Sequence, residues 1–189
     1  MGEPPSPTLA AGGRYGGRVS GSVVVGADEQ ADIAVDVDRW CRLAQSVLDD
    51  EGRAGELTLT FVDRTEIAAL NAEHLGHHGP TDVLSFPLDD GPDDRNDDGV
   101  PILLGDVVVC PAVAAEQASA HAGTLDDELA LLVVHGVLHV LGHDHATDDE
   151  RRVMQDRELV LLERHHWDGP APSSFRQEHS AHPPARVHQ

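Results

Sequence analysis

"LALLVVHGVLHVLGHDH", residues 129–145, decides the fold. Between Leu129 and Leu141 the only polar side chains are His135 and His139. A helix that is apolar on every side belongs in a core, and this one is too short for the ~20 residues that span a bilayer. The two imidazoles share a face of that helix. Residues at i and i+4 sit one turn apart with Cβ atoms roughly 5–6 Å apart, which lets two ring nitrogens converge on a metal at about 2.0–2.1 Å. Gly142 follows, and a glycine in the left-handed conformation turns the chain back, so His145 is expected to face the first two. His143 also lies four residues beyond His139, but a helix ending at Gly142 aims it elsewhere.

A single buried histidine is usually a neutral core residue with one hydrogen-bonded neighbour. A pair at i+4 followed by a third imidazole just past a helix-ending glycine points instead to a metal site. Three neutral nitrogen ligands leave Zn²⁺ an open fourth position for a water, which signals catalysis more than structure. The spacing His-x-x-x-His-x-x-Gly-x-x-His is also that of a large class of zinc proteases, which carry a water-activating glutamate directly after the first histidine. Here that position is Gly136. Glycine inside a helix costs roughly 0.5–1 kcal/mol relative to alanine, so something is expected to pack closely against it. Asp144, between two histidines, is a candidate either to orient an imidazole or to activate water. No residue is assigned as general base.

Outward from this helix the pattern alternates between strand and helix periods. "SVVVGA" reads as a first strand and "VDRWCRLAQSVLDDEG" as a helix with Trp40, Leu43, Val47 and Leu48 on one face. "ELTLTFVD" alternates as a half-buried strand with Leu57, Leu59 and Phe61 inward. Asp63 or Thr65 caps a short helix, "RTEIAALNAEHLG"; "DVLSFP" and "ILLGDVVVC" read as two more strands. Pro111 opens a helix expected to run to about Ala122, Thr124 opens the histidine helix, and "DDERRVMQDRELVLLERHH" is a final amphipathic helix. The order implies an α+β domain in which a small mixed sheet packs with helices, the metal site lying on a central buried helix and the turn after it. Residues 1–20 and 168–189 are rich in Pro, Gly and Ser and are expected to be disordered tails around a single domain, 21–167. "DDGPDDRNDD", Asp89–Asp98, holds six Asp and one Arg and reads as a solvated loop.

The formal charge is −21, from 13 Lys and Arg against 34 Asp and Glu, a balance that repels nucleic acid unless positive charge is gathered locally. With one Tyr, two Trp and three Phe, and with Trp40, Phe61 and Phe86 in core patterns, no platform for stacking bases is evident. Two cysteines, Cys41 and Cys110, are too few for a disulfide framework, and nothing near the N-terminus has the pattern of a signal peptide. A cytoplasmic protein is expected, with no membrane segment.

Four stretches in fixed order carry a resemblance: "LNAEHLGHHGPTDVLSFP" from Leu70, "LLGDVVVC" from Leu103, the "EL" of Glu128 and Leu129, and "HGVLHVLGHDH" from His135. On them the chain resembles the YbeY family of bacterial rRNA maturation factors over about residues 20–165. The resemblance implies a zincin-like fold, with His135, His139 and His145 holding one Zn²⁺. It further implies a metal-dependent, single-strand-specific endoribonuclease acting in 3′-end maturation of small-subunit rRNA and in ribosome quality control. The implied partners are single-stranded rRNA, the small ribosomal subunit and its assembly factors, with no DNA. Many members have an aromatic residue and then an arginine where this chain has His74 and Leu75, and that arginine has been proposed to take part in RNA cleavage. No Arg or Lys lies between Arg64 and Arg95, although His77 and His78 stand nearby. Two other readings remain: a zinc-containing ribosome-assembly binding factor with little catalytic activity, which the charge and Leu75 favour, and a zinc peptidase, which Gly136 disfavours.

Overall fold

The computed structural model describes residues 21–88 and 102–177. Among them run β1 (Ser22–Asp28), α1 (Val37–Asp50), β2 (Gly55–Phe61), α2 (Arg64–Leu75), β3 (Val83–Pro87), β4 (Leu103–Val109), α3 (Pro111–Gln117), α4 (Leu125–Val140) and α5 (Asp148–His165). Residues 1–20, the acidic segment 89–98 and residues 178–189, for which tails and a solvated loop were expected, lie outside the described residues.

The four strands form one sheet in the order β1-β2-β4-β3. β1 pairs parallel with β2 and β2 parallel with β4, while β3 runs antiparallel to β4. This is the mixed sheet of an α+β domain. In β2 the alternation works as read: Leu57, Leu59 and Phe61 are fully buried. α1 crosses from β1 to β2 and lies hard against the first strand, since a Cβ on Gly26 would come 2.4 Å from Cys41 Sγ and 2.5 Å from Val37 Cγ1.

The sheet divides the core. On one face Leu57, Leu59, Leu104, Val107 and Val109 pack with α1, α4 and α5; on the other Leu84, Phe86 and Val108 pack with Ile67 of α2. α4 runs through the larger half, and every residue from Asp127 to Val140 is buried. Its start is fixed by Thr124, whose hydroxyl accepts from the Asp127 amide, with Asp126, Asp127 and Glu128 in the first turn where the helix dipole favours negative charge. α5 begins in a capping box, Thr147 and Glu150 satisfying each other's backbone N–H groups. Asp63, rather than Thr65, caps α2.

Two expectations shift. α3 ends at Gln117, short of Ala122. The reason is Glu128, fully buried on α4, whose carboxylate accepts the Ala122 N–H at 3.1 Å and pairs with His121 Nδ1 at 3.3 Å. Those ties hold residues 121–122 against α4 and off the helical path. Residues 168–177, expected as tail, pack onto the domain: Phe175 is buried and meets Trp167 edge-on with ring centroids 4.8 Å apart. A single buried aromatic in a polar, proline-containing stretch leaves little compositional trace, but it anchors the segment.

Candidate metal centre

α4 and the turn after it position three imidazoles. His135 and His139 are buried one turn apart, with ring centroids 4.5 Å apart. The helix stops at Val140, and Gly142 takes φ +91°, the left-handed conformation that only glycine adopts without cost. The chain turns, the Asp144 carboxylate accepts the His145 backbone N–H at 2.7 Å, and the His145 ring comes 4.8 Å from His139 and 5.6 Å from His135. Ligand-type nitrogens of all three lie within 4.8 Å of one another, and the group could hold a metal ion.

Hydrogen bonds set the ring tautomers. His139 Nδ1 lies 2.8 Å from the His143 carbonyl, which can only accept, so the proton sits on Nδ1 and Nε2 keeps its lone pair. That Nε2 is buried with no hydrogen-bond partner. A buried nitrogen without a partner is costly, and coordination to a metal would satisfy it. His135 Nδ1 lies 2.7 Å from Glu158 Oε1, leaving its Nε2 in the same electronic state. Burial pushes the His139 imidazole down to about 3, with His135 and His145 opposing a further positive charge, so it is neutral at neutral pH, as a ligand must be. Three imidazole donors without a carboxylate suit zinc and its borderline neighbours, and do not suit magnesium or calcium.

His143 is turned away from the group, its ring 3.6 Å from Glu51, and it serves through its carbonyl. Gly136 has the close neighbour its cost implied: a Cβ there would lie 2.5 Å from Val107 Cγ1 and 3.4 Å from Ser85 Oγ. The Ser85 hydroxyl donates to the Gly136 carbonyl at 3.2 Å. A glutamate side chain has no room at this position. Asp82 is buried, with Oδ1 accepting from Thr81 Oγ1 at 3.0 Å and from the Val83 N–H at 2.8 Å, and so shapes the start of β3. His74 packs its ring edge on Phe86, 4.9 Å between centroids, while Leu75 is half-buried beside the smaller core cluster and His77 and His78 are exposed.

Glu158 was missed by the sequence reading. It is 1% exposed, one residue in an α5 stripe otherwise made of Met154, Leu161 and Leu162. A carboxylate on the apolar face of an amphipathic helix, four residues from one core side chain and three from the next, was the available signal.

Fold and site together define an α+β protein whose single candidate metal group, among the described residues, is three histidines on a core helix and its C-terminal turn. The family model described as "Endoribonuclease YbeY" matches residues 26–166. A relative from Acidothermus cellulolyticus bearing that name is 49% identical over 138 residues, covering 68% of this chain and 84% of the relative. Another from Salinispora tropica is 43% identical over 149 residues, covering 75% and 94%. The solution structure of TM1509 from Thermotoga maritima superposes with a TM-score of 0.55 at 25% identity, covering 77% of this chain and 90% of that one. The chain belongs to the endoribonuclease YbeY family.

Proposed function

We propose that this protein is a zinc-dependent endoribonuclease of zincin-like fold that cuts single-stranded RNA, acting in the cytoplasm in 3′-end maturation of small-subunit rRNA and in quality control of the small ribosomal subunit with its assembly factors. The observation that carries the proposal is the buried, partnerless His139 Nε2 facing two further imidazoles, in a chain whose relatives bear the name of an endoribonuclease. In this reading His135, His139 and His145 hold one ion. When bound, zinc supplies Lewis acidity toward a phosphodiester oxygen and toward a water whose pKa falls to about 7. The protein's own part is to hold the ligands: Glu158 fixes the His135 ring, the His143 carbonyl fixes that of His139, and Asp144 fixes the turn that carries His145. Gly136 brings the helix against β4 and leaves no residue in the place of a peptidase glutamate.

The test is incubation of zinc-loaded protein with single-stranded RNA and, separately, with an unfolded polypeptide, beside a His139→Ala variant. RNA cleavage by the wild type and none by the variant is expected; cleavage unaffected by the substitution would refute catalysis at this centre. A second reading, a zinc-containing ribosome-assembly binding factor, is favoured by the formal charge of −21 and by Leu75 in place of a cation. It gains if neither polymer is cut while the protein sediments with small ribosomal subunits.

A further inference from the structure

Glu158 is held from two sides. One oxygen, Oε1, faces His135 Nδ1 at 2.7 Å; the other, Oε2, accepts from the Gln177 amide at 3.2 Å. The same Gln177 nitrogen donates to the Gln155 carbonyl at 2.6 Å, and Gln155 Nε2 donates back to the Gln177 carbonyl at 3.1 Å. Both hydrogens of one side-chain amide are thus used, and the exchange with Gln155 clamps the chain at 177 to the first half of α5. Upstream the segment is anchored by Phe175 on Trp167 and by the Arg176 N–H on the His121 carbonyl at 3.0 Å. Phe175, Arg176 and Gln177, the residues that make these ties from the terminal side, lie past residue 166, where the family match ends.

We infer that Gln177 is a positioning residue for the metal centre, acting through Glu158 to fix the direction in which His135 presents its free nitrogen. The inference rests on the reading of the three histidines as metal ligands. A carboxylate that accepts a ligand histidine's N–H can still rock about its own axis. Tying its second oxygen to a donor on a separately anchored segment fixes the carboxylate plane, and with it the imidazole. The terminal segment therefore supplies the outermost link of a chain that runs Gln177, Glu158, His135.

The test measures Zn²⁺ affinity by competition with a chromophoric chelator, and the visible absorption of the Co²⁺-loaded protein, in the full chain. Gln177→Ala should weaken Zn²⁺ binding several-fold. Gln177→Glu removes the donor and sets a second carboxylate against Glu158, and should weaken binding by about 10- to 100-fold, the range seen when a ligand's outer partner is lost. Adding Glu158→Gln to Gln177→Glu restores a donor–acceptor pair between the two positions while keeping an oxygen for His135. This exchanged pair should recover part of the affinity and return the Co²⁺ spectrum part of the way toward that of the wild type, the Gln155 carbonyl still lacking its donor. A merely structural role would lower thermal stability without this rescue. Far-UV circular dichroism checks folding, and Gln177→Ala alone decides if the charged variant does not fold. Wild-type affinity and an unchanged Co²⁺ spectrum in Gln177→Ala would overturn the proposal alone. Failure of the wild-type protein to bind either ion would overturn the metal reading, and the proposal with it.

Discussion

Replacing Gly136 with alanine tests whether the core, rather than chemistry, dictates the residue that follows His135 in the candidate metal centre. In an exposed helix the substitution would stabilise by about 0.5–1 kcal/mol, through the lost conformational entropy of glycine. Here the new methyl would stand 2.5 Å from Val107 Cγ1. That is more than about 1 Å inside an ordinary carbon–carbon contact of roughly 3.5–4.0 Å. Val107 has little freedom to yield: it is fully buried on β4, paired on one side with Leu59 and on the other with Ser85. Overpacking of this kind costs typically about 1–3 kcal/mol, which exceeds the helix gain, so a net loss of about 1–2 kcal/mol follows. In a chain of this size that lowers Tm by roughly 2–8 °C. Urea unfolding of the metal-free protein measures it directly. The decisive comparison is a cycle with Val107→Ala, which creates room where the methyl would go: the double variant should be more stable than the sum of the two single effects predicts, by about 1 kcal/mol or more. Additive effects, or a Gly136→Ala protein as stable as the wild type, would refute the close-packing account of why the peptidase glutamate is absent.

Three further outcomes follow from the same geometry. His139 has its pKa pushed down to about 3 in the fold, from 6.5 when free, so between those values the unfolded chain binds a proton that the native chain refuses. Stability of the metal-free protein therefore falls as pH falls, by about 2 kcal/mol from pH 7 to pH 5 through this residue, and urea titrations of the wild type and His139→Gln at both pH values should differ by that amount. Zn²⁺ at about a thousand times its Kd should stabilise the wild type by about 4 kcal/mol, a rise in Tm that excess chelator reverses and that His139→Ala abolishes. Phe175→Ala removes the buried anchor of residues 168–177 and should cost about 3 kcal/mol, with new proteolytic cleavage after residue 168; unchanged stability would return the segment to the tail it was expected to be.

The three-histidine cluster and the core were legible for a local reason. His135, His139, Gly142 and His145 lie within one helix and its terminating turn, so 3.6-residue periodicity and glycine's backbone freedom were enough to bring them together. The same holds for β2, where a two-residue period assigned Leu57, Leu59 and Phe61 to the core, and for α1 with its Trp40, Leu43, Val47 and Leu48 face. What escaped was tertiary. Glu158 stands 23 residues from His135, and Gln177 a further 19 from Glu158; no local period links them. Gln177 reads in sequence as an ordinary solvated side chain, and the place of Glu158 on the apolar face of α5 signals burial without naming a partner. The end of α3 was misplaced for the same reason, since Glu128 takes the Ala122 N–H from outside the helix it would have extended. Gly136 lies between the two cases. Its cost was visible locally and so announced a close neighbour, but only the packing of α4 against β4 could say that the neighbour is Val107. The candidate metal centre splits its information in this way: its three histidines lie in one short stretch, while the Glu158 carboxylate that meets His135 comes from a distant helix.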